Sequence, residues 1–292
     1  MMVNHNRYQQ PQYLVETDWL EDNLAEPDLR IFDCTAIPGP NPDEEMRKQF
    51  PVAARSGREQ FEGGHIPGAG FIDVPEELSD KSSSIPMMMP SEEQFVDAMT
   101  KYGITDDSRV VLYSQGAMWA TRVWWMLRAY GFDNATVLNG GWKKWTAEGR
   151  PVSSEPCAYV PGKFTVKHRS NAIVGKGEVL EAIGDEATRL IYAHPSAPVF
   201  GREGRIMGSE YIPTTSLHDP ETGVYLPASQ LQKIFDVADV GDTEKIITYC
   251  GAGIAATNNA FALTLLGYQN VAVYDGSMCE WGNDESLPMM AM

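Results

Sequence analysis

Two stretches of this chain carry the same succession of apolar strand, glycine turn and apolar-periodic helix, and they lie 136 residues apart. In the first, VVLY is followed by SQGAM, WATRVWWMLRAY, GFDN and ATVLNGG; in the second, IITY is followed by CGAGI, AATNNAFALTLL, GYQN and VAVYDGS. Each predicts a short buried strand, a turn, a helix, a glycine-aromatic stop and a second strand, which is a βαβ unit. The register holds without a gap from Val110 on Ile246 to Trp145 on Trp281. It sets Ala120 on Ala256, Thr121 on Thr257, Leu127 on Leu263, Gly131 on Gly267, Asn134 on Asn270, Val137 on Val273 and Gly140 on Gly276. Repetition at one spacing over so many positions signals a duplicated module.

Short apolar strands alternating with helices predict an α/β fold, each copy a parallel sheet flanked by helices on both faces. An earlier strand opens each copy, DLRIFDCT and TRLIYAHP, and a glycine-rich segment follows each, FEGGHIPGAGFID and FGREGRIMGSEYIPTT. The Pro, Ser and Gly of PVSSEPCAYVPGKF mark the connector. The expected domains are therefore 12–152 and 164–292, with a linker at 153–163. The stretch from Ala36 to Ala54 and the Ser/Met/Pro stretch from Ser82 to Pro90 read as surface excursions that carry no chemistry.

Charge narrows the partners. With 40 acidic against 23 basic residues the formal charge is -17, which disfavours nucleic acid and anionic membrane surfaces. No apolar run approaches the ~18 residues of a membrane helix, and the opening MMVNHNRYQQPQY lacks the layout of a secretory signal, so a cytoplasmic protein is expected. Cys34, Cys157, Cys250 and Cys279 form no CxxC pair and have no matching histidine spacing. Neither a disulfide framework nor a metal site is indicated, and no cofactor is called for.

Cys250 is the cysteine whose place suggests chemistry. It stands where a buried strand gives way to a helix, beside backbone N–H groups with no helical partner and the positive end of the helix dipole. Gly251 and Gly253 allow the loop to curl, and the expectation is a cradle over Cys250 to Ala255 whose amides all aim at the sulfur. Read alone, a strand-end cysteine is more often an inert core residue. The other copy changes that balance: its turn has Ser114, with Gly116 as its one glycine and Trp119 and Arg122 beyond. One reactive site is expected, in the second copy, walled by the first.

These residues resemble the tandem-domain rhodanese-type sulfurtransferases, the family of thiosulfate and 3-mercaptopyruvate sulfurtransferases. The resemblance rests on GHIPGA at Gly64 to Ala69, on RVWWMLRAYGF and VLNGGWKKW, and on YCGAGIAAT with VYDGSMCEW, and it spans nearly the whole chain. It implies two rhodanese-like domains, the first non-catalytic and the second catalytic. Cys250 would take sulfane sulfur from a small anionic donor as a persulfide, held by Gly251, Ala252, Gly253, Ile254 and Ala255, and pass it to cyanide or a thiol, thioredoxin-like proteins included. The uncharged loop implies 3-mercaptopyruvate rather than thiosulfate, although Ala252 lacks the hydroxyl the family uses for proton relay. Arg202 and Arg205 are the cations the resemblance places beside the loop, where a guanidinium fork suits a carboxylate; a surface charge paired with Glu203 is the plainer reading. His65, in GHIPGA, is a substrate-side candidate in the mercaptopyruvate-type relatives and equally a turn-fixing residue. The chain departs from the family at Tyr192-Ala193-His194, where Asp-Ala-Arg is usual. A phosphatase on the same scaffold needs an arginine six residues after the cysteine, and Ala256 stands there. A non-enzymatic sulfur carrier or a regulatory rhodanese-like module remains the alternative.

Overall fold

The computed structural model describes residues 7–195, 200–241 and 243–292 and holds two five-stranded sheets built alike. The first takes β1 (Leu14–Val15), β2 (Leu29–Asp33), β3 (Gly70–Phe71), β4 (Arg109–Tyr113) and β5 (Ala135–Leu138) in the spatial order β1-β5-β4-β2-β3. The second takes β6 (Ile173–Val174), β7 (Thr188–Tyr192), β8 (Glu210–Tyr211), β9 (Lys245–Tyr249) and β10 (Val271–Tyr274) in the matching order β6-β10-β9-β7-β8. Neighbours in both sheets are parallel. The duplicated α/β architecture read from the sequence is the observed one.

The central strands β4 and β9 are almost wholly apolar because helices cover them on both faces. Helix α1 (Ala117–Ala129) follows β4 and α2 (Ile254–Leu265) follows β9, and the two helices pack on each other. Every residue of α2 is buried, and its four polar residues, Thr257, Asn258, Asn259 and Thr264, are each hydrogen-bonded inside. The Oγ1 atoms of Thr121 and Thr257 meet at 3.2 Å. These are equivalent positions of the repeat, so an approximate two-fold axis passes between them. Trp124 and Trp125 lie in the core as the apolar run predicts, and each donates its indole N–H, to Ala135 O at 2.9 Å and Ala172 O at 3.1 Å.

Two segments differ from expectation. Ala36–Pro40 pairs antiparallel with Val52–Ser56, so that excursion is a hairpin. The Ser82–Pro90 stretch is no idle surface loop: it crosses to the second half, where the Met89 N–H donates to Asp275 Oδ2 at 2.6 Å. Its repeat equivalent makes the mirrored crossing, with the Tyr225 N–H donating to Asn139 Oδ1 at 2.9 Å. Asn139 and Asp275 are also repeat partners, so each half sends a strap to the same strand end of the other. The chain's opening residues lie on the second half as well, through Tyr8 Oη to Leu226 O at 2.7 Å and Gln9 N to Leu265 O at 2.9 Å. The connector is laid on the first half by Ser153 against His65 and by Tyr159 Oη on Gly68 O at 2.7 Å.

Behind the second strap, His218 is half-buried with Nδ1 on Gly223 O at 3.2 Å and Nε2 on the Asn258 amide at 2.8 Å. Burial lowers its pKa from 6.5 to about 4. A histidine held neutral by the fold but free to protonate when unfolded makes stability fall as the pH drops through that window, by on the order of 3 kcal/mol. Asp33, raised to about 6 by burial, slopes the other way. The test is therefore the gap in unfolding free energy between wild type and His218→Gln, measured by denaturant titration, which shifts by that amount between pH 7 and pH 4; a pH-independent gap refutes it.

Candidate active site

Cys250 follows the last residue of β9 and is 2% exposed. The loop ahead of α2 is fixed from behind by Ser277, whose Oγ accepts from Cys250 N at 3.0 Å and Gly253 N at 3.1 Å and donates to Tyr274 O at 2.7 Å. The expectation that every loop amide aims at the sulfur is thus corrected for these two. Three loop carbonyls are tied outward: Cys250 O accepts from Met278 N at 3.0 Å, Gly251 O from Cys279 N at 2.8 Å, and Gly253 O from Arg122 Nη1 at 3.2 Å. In a trans peptide the carbonyl and the following N–H point opposite ways. The amides of Gly251, Ala252 and Ile254 are therefore turned to the other side. Among the described residues these three, with Ala255 in the first turn of α2, donate to no protein acceptor.

Glycine is required at two points of this loop. A methyl on Gly251 would enter the ring of Phe200, and Gly253 adopts a left-handed φ of 71° with Asp275 O 2.8 Å from where a Cβ would be. Beside the Arg122–Asp275 ion pair that reaches Gly253, the loop has neutral neighbours. Burial, and secondarily the nearby Cys250, push the Tyr192 hydroxyl and the Cys279 thiol well above their usual ranges, so both stay protonated.

The remaining residues singled out from the sequence are held elsewhere. Arg202 gives its guanidinium to Leu287 O at 3.0 Å, Trp281 O at 3.3 Å and Asp284 O at 2.6 Å, pinning the carboxyl-terminal segment. Arg205 bonds Ser209 O, and its strand Arg205–Ile206 pairs with Met289–Met290. Both arginines bond carbonyls here, and neither bonds an atom of the Cys250 loop. His65 is 1% exposed, sits between Phe61 O at 2.8 Å and Glu155 O at 3.0 Å, and stacks on Phe61. It fixes the GHIPGA turn to the connector, so it too is not brought to the loop.

What sequence reasoning missed is the support. Ser277, Asp275 and Arg122 hold the loop, and each stands where the copies differ in chemistry: Gly141 against Ser277, Asn139 against Asp275, Arg122 against Asn258, beside Ser114 against Cys250. Those mismatches were the available signal.

Cys250 thus heads a loop whose free amides have no acceptor among the described residues, on one half of a doubled parallel α/β module. The rhodanese-like domain model matches residues 16–148 and 177–284. The chain is 32% identical to the 3-mercaptopyruvate sulfurtransferase of Escherichia coli K12 over 287 residues, 95% of this chain and 97% of that one. It is equally 32% identical to the thiosulfate sulfurtransferase of Cricetulus griseus over 285 residues, 92% and 91% of the two chains. Among solved structures it is similar to SseA of Escherichia coli, a 3-mercaptopyruvate sulfotransferase with the rhodanese fold, at TM-score 0.77 and 30% identity over 91% of this chain and 98% of that one. The anaerobic ergothioneine biosynthesis enzyme of Chlorobium limicola shares the fold at TM-score 0.80 and 21% identity, covering 98% of this chain and 71% of that one. The chain belongs to the rhodanese-like family, as a tandem-domain sulfurtransferase of the thiosulfate and 3-mercaptopyruvate type.

Proposed function

We propose that Cys250 carries the transferred sulfur as a persulfide, and that the amides of Gly251, Ala252, Ile254 and Ala255 hold its negative end. The observation that carries this reading is those four N–H groups, which have no acceptor among the described residues, in the loop headed by a strand-end cysteine. A second sulfur bonded to Sγ sits about 2 Å beyond it, and main-chain dipoles fixed in advance stabilise an anion there without reorganising. The Cys250 thiolate attacks the donor's sulfane sulfur. With 3-mercaptopyruvate the C–S bond breaks, its electron pair stays on carbon as the enolate, and a proton returns it to pyruvate. With thiosulfate the S–S bond breaks and sulfite leaves. A thiol or cyanide then attacks the outer sulfur and restores the Cys250 thiolate. No cofactor enters either half-reaction.

No loop residue is a cation, the Arg122 that reaches Gly253 O is paired with Asp275, and Arg202 and Arg205 bond carbonyls, which favours singly charged 3-mercaptopyruvate over dianionic thiosulfate. A small thiol or a thioredoxin-like dithiol fits as acceptor. The charge of -17 disfavours nucleic acid, and among the described residues no helix is long and apolar enough to cross a membrane, in keeping with a cytoplasmic setting. The test feeds each donor separately and follows the mass of the Cys250 peptide together with product release. A gain of one sulfur with faster turnover of 3-mercaptopyruvate supports the reading. Loading without turnover would make the protein a sulfur carrier, and no loading from either donor would end the proposal.

A further inference from the structure

Arg122 belongs to the half that lacks the nucleophile, yet it is 0% exposed and reaches into the catalytic loop. Its Nη1 lies 2.5 Å from Asp275 Oδ1 and 3.2 Å from Gly253 O, while Nη2 donates to Met87 O at 2.8 Å. Asp275 in turn takes the Met89 N–H on its other oxygen. A cation this deeply buried is costly unless every contact is good. Repeat symmetry does not demand it either, because the equivalent position in α2 is Asn258.

Each loop peptide whose carbonyl is held outward presents the next N–H inward. For Cys250 and Gly251 the holder is a backbone amide of the helix Ser277–Trp281, in the same half. For Gly253 it is a side chain from the opposite half. Gly253 is left-handed at φ 71° and has no side chain of its own to fix the plane that follows it. We infer that Arg122 is a positioning residue for sulfur transfer: by holding Gly253 O it turns the Ile254 N–H toward the persulfide, so the non-catalytic half completes the anion cradle. This rests on the persulfide reading above and adds to it the group through which the first half acts. Asp275 and the Met87 to Met89 strap keep the guanidinium in place.

The inference is tested with R122K and with R122M/D275N. In R122K the ammonium still faces Asp275, but the stem ends about one bond short of Nη1, so Gly253 O loses its donor. In the double variant no unpaired charge is left buried, and replacing both members of a buried pair is often tolerated. Both variants are checked by thermal melting and then compared with wild type in steady-state kinetics and in the decay of the sulfur-loaded Cys250 peptide. The expected result is a fall in kcat of about tenfold with KM for the donor within twofold of wild type, and a shorter-lived persulfide. A role confined to stability would shift melting and leave kcat and persulfide lifetime alone. A folded R122K with wild-type kcat and persulfide lifetime overturns the inference, whatever the double variant does. If wild type itself loads no sulfur, it is the persulfide reading that has failed.

Discussion

Cys250→Ser removes sulfur loading and lowers turnover by about a thousandfold, roughly 4 kcal/mol in activation free energy. The oxygen of serine is close in size, and Cys250 is buried beside Ile254 and Ala255, so the fold tolerates the exchange. What is lost is a nucleophile able to carry a second sulfur and to release it again to a thiol. The chain already contains the comparison, because the equivalent position in the first half is Ser114, whose hydroxyl is turned onto Gly116 O. The decisive readings are the mass of the 250-containing peptide after exposure to donor and the rate of product release. Residual turnover within tenfold of wild type would place the nucleophile elsewhere, with buried Cys279 the next thiol to try.

Ser277→Gly has the second largest effect, a fall in kcat/KM of about 10- to 100-fold. Ser277 stands at a left-handed φ of 47°, and its repeat equivalent Gly141 stands at 52°. Glycine therefore fits this backbone, relieving strain of roughly 1–2 kcal/mol, and the substitution isolates the hydroxyl. Without it the amides of Cys250 and Gly253 lose their acceptor, and each buried amide left unpaired costs roughly 1–3 kcal/mol. The loop relaxes by turning those peptides toward other partners, which spoils the alignment of their neighbours. Steady-state kinetics beside a melting curve separates the two terms: activity drops well beyond any change in stability. If activity and melting temperature both match wild type, the hydroxyl does not hold the loop.

The duplication was legible in the chain itself, and for physical reasons. Buried strands and the largely apolar helices after them leave a recognisable trace, and two traces in one register identify each other. The contrast of Cys250 with Ser114 then singled out Cys250 as the candidate for chemistry. What stayed hidden depends on partners. Arg202 and Arg205 looked available because a sequence displays a cation without its acceptors, here carbonyls some 80 residues further on. His65 looked equally like a site residue or a turn-fixer, and the carbonyls of Phe61 and Glu155 decide for the turn. The Ser82–Pro90 strap read as surface because its role is played by main-chain atoms of Met87 and Met89, which no side-chain pattern reports. Ser277, Asp275 and Arg122 act between segments far apart in the chain; Arg122 stood out as a difference between the copies, but its bond to Gly253 O, like the roles of Ser277 and Asp275, has no trace in one sequence.

The exchange of straps, together with the opening residues lying on the far half, bears on how this protein can be divided. Each half borrows part of its cover from chain that belongs to the other, and α2 has no side that tolerates water. Cutting within 153–163 and expressing residues 164–292 alone would strip that helix of α1, remove Arg122, and uncap Leu265 O where Gln9 and Gln10 now donate. The reactive half is accordingly no portable cartridge that could be grafted onto another protein. Its partner copy is part of its interior.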